Sequence, residues 1–164
     1  MRRSTHLTWL YSCALLVSTV DFITKNWAVN NLTTPRKLIG SLLQLTLVRN
    51  PGAAFSMATG FTMIFTALSL AVLAFILYYS PRVTSRGWAL VAGLVLGGVI
   101  GNLGDRIFRS PGFLYGHVVD WIELPNFPVF NCADIAISSA AAIAAILTIR
   151  NVRPIELKES TGNE

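Results

Sequence analysis

Four long segments without a charged residue constrain the fold of this chain more than any other feature. They cover residues 4–20, 51–81, 87–104 and 135–149. A helix that crosses a bilayer needs roughly 20 mostly apolar residues. The first segment reaches that length if it continues through Asp21 and Lys25, and the fourth if it begins near residue 130. Because the apolar residues do not alternate with polar ones, these segments predict helices and not the strands of a barrel.

We therefore predict an all-α integral membrane protein with four transmembrane helices. The expected spans are about 7–29, 60–80, 87–105 and 130–149. The composition agrees, because only 13% of the residues are charged, whereas soluble domains carry roughly 25%. Residues 1–150 are expected to form one transmembrane domain, and residues 151–164 a polar cytoplasmic tail.

The positive residues favour one orientation of these spans. Three groups of them would share a face: Arg2 and Arg3, Arg82 and Arg86, and Arg150, Arg153 and Lys158. The positive-inside rule makes that face, and both termini, cytoplasmic. The bias is modest, because the other face carries five positive residues. Since these charges lie singly or in pairs between apolar segments, we expect no nucleic-acid partner despite the net charge of +5.

The acidic residues are distributed differently. All four aspartates, together with Glu123, lie on the predicted outer side: Asp21, Asp105, Asp120 and Asp134. Ionisable groups at membrane depth are costly, and their presence indicates function. Asp21 and Lys25 lie one helical turn apart, which predicts a structural ion pair.

Two further features describe the outer loop and the third span. Residues 42–47 are β-prone and precede a turn at Asn50, so we expect a short strand or hairpin on the outer surface, with a plain loop as the alternative. In the third span, small residues at Gly93, Gly97 and Gly101 predict close helix packing. Asn102 and Arg106 follow on one face of the same helix.

Asp120 and Asp134 are the candidates for chemistry. A proline-containing connection between them can fold back and bring them together, and Asn131 shares a helical face with Asp134. Two adjacent carboxylates hold one proton between them, which suits amide hydrolysis. The alternative is that they cap helices or pair with Arg106 and Lys25. His117 is the lone histidine near Asp120 and is therefore a poor metal ligand, so we predict no metal site.

With these residues in place, the sequence resembles the bacterial lipoprotein signal peptidases, also called signal peptidase II, over nearly all of the chain except the tail. The motifs that carry the resemblance are residues 21–25, 50–55 (Asn-Pro-Gly-Ala-Ala-Phe), 97–106, 119–120 and 130–134 (Phe-Asn-Cys-Ala-Asp). Only together are they specific. Cys132 and Ile135 stand where other residues are common in that family, and neither replaces a polar group that the mechanism needs.

The resemblance implies a fold and an activity. The fold would have four transmembrane helices, with a small β-cradle and an amphipathic helix on the outer face. The enzyme would remove the signal peptide from diacylglyceryl-modified prolipoproteins, before the lipidated cysteine, at the outer face of the bacterial cytoplasmic (inner) membrane. No metal or organic cofactor is implied. Beyond substrate and membrane lipid, the cyclic peptide globomycin is the expected ligand, as an inhibitor.

The resemblance also implies roles for individual residues. Asp120 and Asp134 would be the catalytic dyad. Substrate binding or positioning of the dyad would fall to Asn50, Asn102, Arg106 and Asn131, with Asp21, Lys25 and Asp105 in support.

The residue pattern alone leaves two other classes open. A small proton- or ion-coupled transporter also uses carboxylates in the membrane, although no internal repeat is evident. A non-catalytic assembly factor would need the aspartates only for stability.

Overall fold

The computed structural model of the chain describes residues 2–52 and 62–155. Its elements, in chain order, are α1 (Arg2–Asn31), β1 (Arg36–Ile39), β2 (Leu43–Asn50), α2 (Thr62–Tyr79), α3 (Arg86–Phe108), β3 (Val118–Glu123) and α4 (Cys132–Ile149). All four helices are long and apolar enough to cross a membrane. The prediction of a four-span membrane protein is confirmed, and the helices begin and end within a few residues of the predicted spans.

Helix α3 lies at the centre of the bundle and packs against α1, α2 and α4. Its glycines explain how closely the helices approach. A β-carbon at Gly97 would lie 2.7 Å from the carbonyl oxygen of Ala14 on α1, and one at Gly98 would lie 2.7 Å from that of Ala133 on α4. The predicted role of the small residues in helix packing is confirmed, because any larger side chain would push α1 or α4 away.

The three strands form one antiparallel sheet in the order β1-β2-β3 at the end of the bundle where α1 and α3 finish. The strand predicted in the outer loop is confirmed as β2. In its pairing with β3, Val48 lies opposite Asp120 and Asn50 opposite Val118. The sheet thereby brings the connection between α1 and α2 beside the connection between α3 and α4. The predicted amphipathic helix is not among the described elements, and residues 53–61, which include Ala53 to Phe55 of the second motif, lie outside them.

The opposite end of the bundle is closed by the chain that follows α4. Trp88 Nε1 donates a hydrogen bond of 2.8 Å to the carbonyl of Val152, and Val83 pairs with Ile155 as an isolated bridge. Residues 152–155 therefore pack against the connection between α2 and α3. Residues 156–164 lie outside the described part, and the cytoplasmic tail stays a prediction.

Candidate active site

The two candidate catalytic aspartates meet through one asparagine. Asn131 is the N-cap of α4: its Oδ1 accepts from Asp134 N at 3.0 Å, and Asp134 Oδ2 accepts from Asn131 N at 3.1 Å. The Nδ2 of Asn131 donates to Asp120 Oδ1 at 2.6 Å. Asn131 is fully buried. A capping box that would ordinarily only begin a helix here also links the two carboxyl groups.

The connection between β3 and α4 folds back, as was predicted from its prolines. Asn126 adopts a left-handed φ of 57°, a conformation that asparagine tolerates better than most residues. Phe130 then returns beside β3, since its N–H donates to Ile122 O at 3.0 Å and its carbonyl accepts from Trp121 N at 3.0 Å. This return places the start of α4 next to Asp120.

Two more asparagines complete the hydrogen bonding of the carboxyl groups. Asn50, at the end of β2, donates from Nδ2 to Asp120 Oδ2 at 2.9 Å. Asn102, on α3, donates from Nδ2 to Asp134 Oδ1 at 3.0 Å. Both side chains of the dyad are therefore held in fixed orientations by neutral donors.

Asp21, Lys25 and Asp105 form a buried ionic group behind the dyad. Lys25 Nζ lies 2.7 Å from Asp21 Oδ2 and 2.9 Å from Asp105 Oδ2. The predicted ion pair between Asp21 and Lys25 is confirmed, and Asp105 joins it. Arg109 pairs with Asp105 and donates to Asn26 Oδ1 at 3.0 Å. These roles of Arg109 and Asn26 were not predicted from the sequence, although the four-residue spacing of Asp105 and Arg109 is typical of an ion pair on a helix.

Arg106 lies outside the direct hydrogen bonding of the dyad. Its Nη1 donates to Gly116 O at 3.4 Å, and its guanidinium lies 5.9 Å from the centre of the Phe65 ring. Neither Asp120 nor Asp134 forms an ion pair with it among the described residues. The alternative that the dyad aspartates are ion-pair partners of Arg106 or Lys25 is therefore not seen, whereas Asp134 does take part in the cap of α4.

The surroundings of Asp120 suit it to proton transfer. Burial raises its pKa to about 6, and the negative charge of Asp134 also raises it. The hydrogen bonds from Asn50 and Asn131 and the positive charge of Lys25 act in the opposite direction. A carboxyl group that titrates near neutral pH can give up and take back a proton during a reaction. Within the described residues, no cluster of three or more His, Cys, Asp or Glu side chains could hold a metal ion.

Comparison with known proteins identifies the family of the chain. The sequence profile described as Signal peptidase (SPase) II matches residues 13–150. Proteins named lipoprotein signal peptidase from Leifsonia xyli subsp. xyli and Rhodococcus jostii are 46% and 45% identical over 142 and 147 residues. These alignments cover 85% and 88% of this chain, and 66% and 74% of the respective relatives.

Solved structures show the same fold. Two bacterial membrane enzyme structures superpose with TM-scores of 0.75 and 0.73 at 22% and 24% sequence identity. They cover 93% and 85% of this chain, which in turn covers 91% of each. Of the classes that the residue pattern left open, the family selects the peptidase. The chain is a multi-pass membrane protein that belongs to the signal peptidase II family of lipoprotein signal peptidases.

Proposed function

We propose that this protein is an aspartic endopeptidase that removes the signal peptide from diacylglyceryl-modified prolipoproteins, cleaving just before the lipidated cysteine. The observation that carries the proposal is the pairing of Asp120 and Asp134 through the buried Asn131 at one end of the spans. The relatives named lipoprotein signal peptidase support the substrate class.

The two carboxyl groups share one proton in the proposed reaction. The ionised member takes a proton from a water molecule, whose oxygen attacks the scissile carbonyl carbon. The protonated member donates to the carbonyl oxygen and thereby polarises it. When the tetrahedral intermediate collapses, the C–N bond breaks and a carboxyl group delivers a proton to the leaving amine. The products are the carboxylate end of the signal peptide and the free α-amine of the lipidated cysteine.

The raised pKa of Asp120 supports this residue as the initial holder of the shared proton. Asn50, Asn102 and Asn131 then keep the oxygens of the dyad aimed at the water and the carbonyl. Arg106 is assigned to the substrate backbone, because it is close enough to Asp120 for their charges to interact but forms no ion pair with either catalytic aspartate among the described residues.

The same proposal covers location and ligands. The enzyme would lie in the bacterial cytoplasmic membrane with both termini inside and the dyad at the outer face, where a lipid-anchored substrate could reach it from the bilayer. Residues 1–150 would form one peptidase domain, with globomycin as an inhibitor. The reaction needs no metal or organic cofactor, because the dyad supplies both acid and base.

The test is cleavage of a purified diacylglyceryl-modified prolipoprotein by wild type, Asp120→Asn and Asp134→Asn at matched folding. Each variant should lose at least about 100-fold in rate, because each removes one member of the acid–base pair. Glu123→Gln is the matched control, since it neutralises an acid on the same strand that faces Gln44 instead of the dyad. Retention of most of the rate in either aspartate variant would contradict the assignment of the dyad.

A further inference from the structure

The ammonium group of Lys25 has three partners on two different helices. Besides Asp21 Oδ2 at 2.7 Å and Asp105 Oδ2 at 2.9 Å, its Nζ donates to Asn102 Oδ1 at 2.8 Å. The contact with Asn102 is a hydrogen bond, and the contacts with the two carboxylates are ion pairs. The side chain is 1% exposed. These three contacts therefore hold the ammonium group in one arrangement.

Each of the two carboxylates also holds the backbone directly before a catalytic aspartate. Asp21 Oδ1 accepts from the N–H of Ala133, which precedes Asp134, at 2.9 Å. Asp105 Oδ2 accepts from the N–H of Val119, which precedes Asp120, at 3.0 Å. Ala133 and Val119 are both completely buried.

The third partner leads to the dyad through a side chain. Asn102 receives the Lys25 hydrogen bond on Oδ1 and donates from Nδ2 to Asp134 Oδ1 at 3.0 Å. The ammonium can bond only to the oxygen of the amide, and Asn131 Nδ2 donates to the same oxygen at 3.2 Å. Lys25 therefore helps to turn the Nδ2 of Asn102 towards Asp134.

We propose that Lys25 is a positioning residue that sets the separation and orientation of the two catalytic aspartates by holding Asp21, Asp105 and Asn102 on one ammonium group. We call these four residues the Lys25 clamp. This inference deepens the proposed function and rests on it. The clamp joins α1 to α3, and through its carboxylates it fixes the start of α4 and strand β3, which carry the dyad.

Charge neutralisation alone does not account for this arrangement. With Arg109 paired to Asp105, the four charged side chains of the group sum to zero. The same neutrality, however, would follow from removing Lys25 and Asp21 together, and buried ion pairs can often be replaced by neutral groups without loss of stability. Such a replacement would, however, remove the ammonium group of Lys25, which links the backbone before Asp120 to the backbone before Asp134.

Lys25 also acts on the dyad through its charge. The charged groups that influence Asp120 come from three helices: Lys25 on α1, Arg106 on α3 and Asp134 on α4. The positive charge of Lys25 lowers the pKa of Asp120, in opposition to burial. Removal of that charge should raise the pKa of Asp120 and move the activity profile towards higher pH.

The experiment compares Lys25→Met with the double variant Lys25→Met/Asp21→Asn in full-length protein. The double variant leaves no unpaired charge, and the amide oxygen introduced by Asp21→Asn can still accept from Ala133 N. We measure thermal unfolding, kcat, KM and the pH profile on the lipidated substrate. Lys37→Met is the matched control, because it removes a lysine from the exposed strand β1.

If the clamp positions the dyad, the double variant unfolds near the wild-type temperature but loses about 100-fold in kcat, with KM changed by less than about threefold. A displacement of about 1 Å in reacting groups costs this much. Its pH profile also shifts upward. Lys25→Arg should lose kcat as well, although it keeps the charge, because a planar guanidinium cannot place one atom against three acceptors.

A folded double variant with kcat within about threefold of wild type overturns the clamp, and so does full activity in Lys25→Arg. These results can be told apart from a failure of the proposed dyad, in which Asp120→Asn or Asp134→Asn would keep its rate. A loss of stability in Lys25→Met that the double variant restores together with full kcat would assign Lys25 to neutralisation alone and would likewise overturn the inference.

Discussion

At the scale of single residues, the raised pKa of Asp120 predicts an effect on stability as well as on catalysis. Its pKa is about 6 in the folded protein, against 3.8 for an unperturbed aspartate. The folded state therefore binds the proton more tightly than the unfolded state does. The contribution to stability is fully present below pH 3.8 and is lost as the pH rises through about 6, with a total of roughly 3 kcal/mol.

Asp120→Asn removes this titration. The variant should therefore gain stability relative to wild type as the pH is raised from about 4 to about 7, even though it loses activity. Melting temperatures of both proteins in the same detergent at several pH values across this range measure the effect. A difference between the two that stays constant over the range would show that Asp120 titrates normally.

How far the sequence predicted the site depends on how far apart the partners lie in the chain. The pair Asp21 and Lys25 and the pair Asn131 and Asp134 follow from helical spacing, and both were found in this way. The contact between Lys25 and Asp105 joins α1 to α3, and that between Asn50 and Asp120 crosses the sheet. No periodicity encodes these contacts, because they exist only once the helices and strands have packed.

At the scale of elements, the long helices were predictable and one strand was not. A span is recognisable from roughly 20 apolar residues, whereas β3 has six residues, Val118–Glu123, with two acids among them. It is a strand because β2 and Phe130 supply hydrogen bonds along its two edges. Local propensity is too weak to show that dependence on context.

The packing of α1 on α3 predicts opposite effects for two glycines of the same helix. A methyl group at Gly97 would lie 2.6 Å from Val17 Cβ and 2.7 Å from Ala14 O, whereas nothing lies within 4 Å of that position at Gly104. Gly97→Ala should destabilise the protein by about 1–3 kcal/mol through overpacking. Gly104→Ala should be neutral or stabilising by up to about 1 kcal/mol, because alanine favours the helix.

Thermal unfolding of the two variants in parallel checks this prediction, with Gly104→Ala as the control for the effect of alanine on α3 itself. Equal stabilities would mean that α1 lies farther from α3 than the structure places it. Because α1 carries Asp21 and Lys25, a shifted α1 in Gly97→Ala should also lower kcat.

At the scale of the whole molecule, the two ends of the helix bundle carry different structural elements. One end holds the sheet, the dyad and the ionic group, and the other holds the connection between α2 and α3 packed against residues 152–155. The predicted orientation puts the first end outside and the second in the cytoplasm. It rests on the distribution of positive residues, which is uneven but not one-sided.

The orientation can be tested by labelling single cysteines in intact cells with a membrane-impermeant thiol reagent. In a background with Cys13→Ala and Cys132→Ala, the sites are Ser41→Cys in the turn between β1 and β2 and Pro81→Cys in the connection between α2 and α3. Both residues are exposed in the structure. Ser41→Cys should react in intact cells, and Pro81→Cys only after the membrane is permeabilised, because a lipidated prolipoprotein must meet the dyad after its export. The reverse pattern would place the dyad on the cytoplasmic side, and the proposed substrate could then not reach it after export.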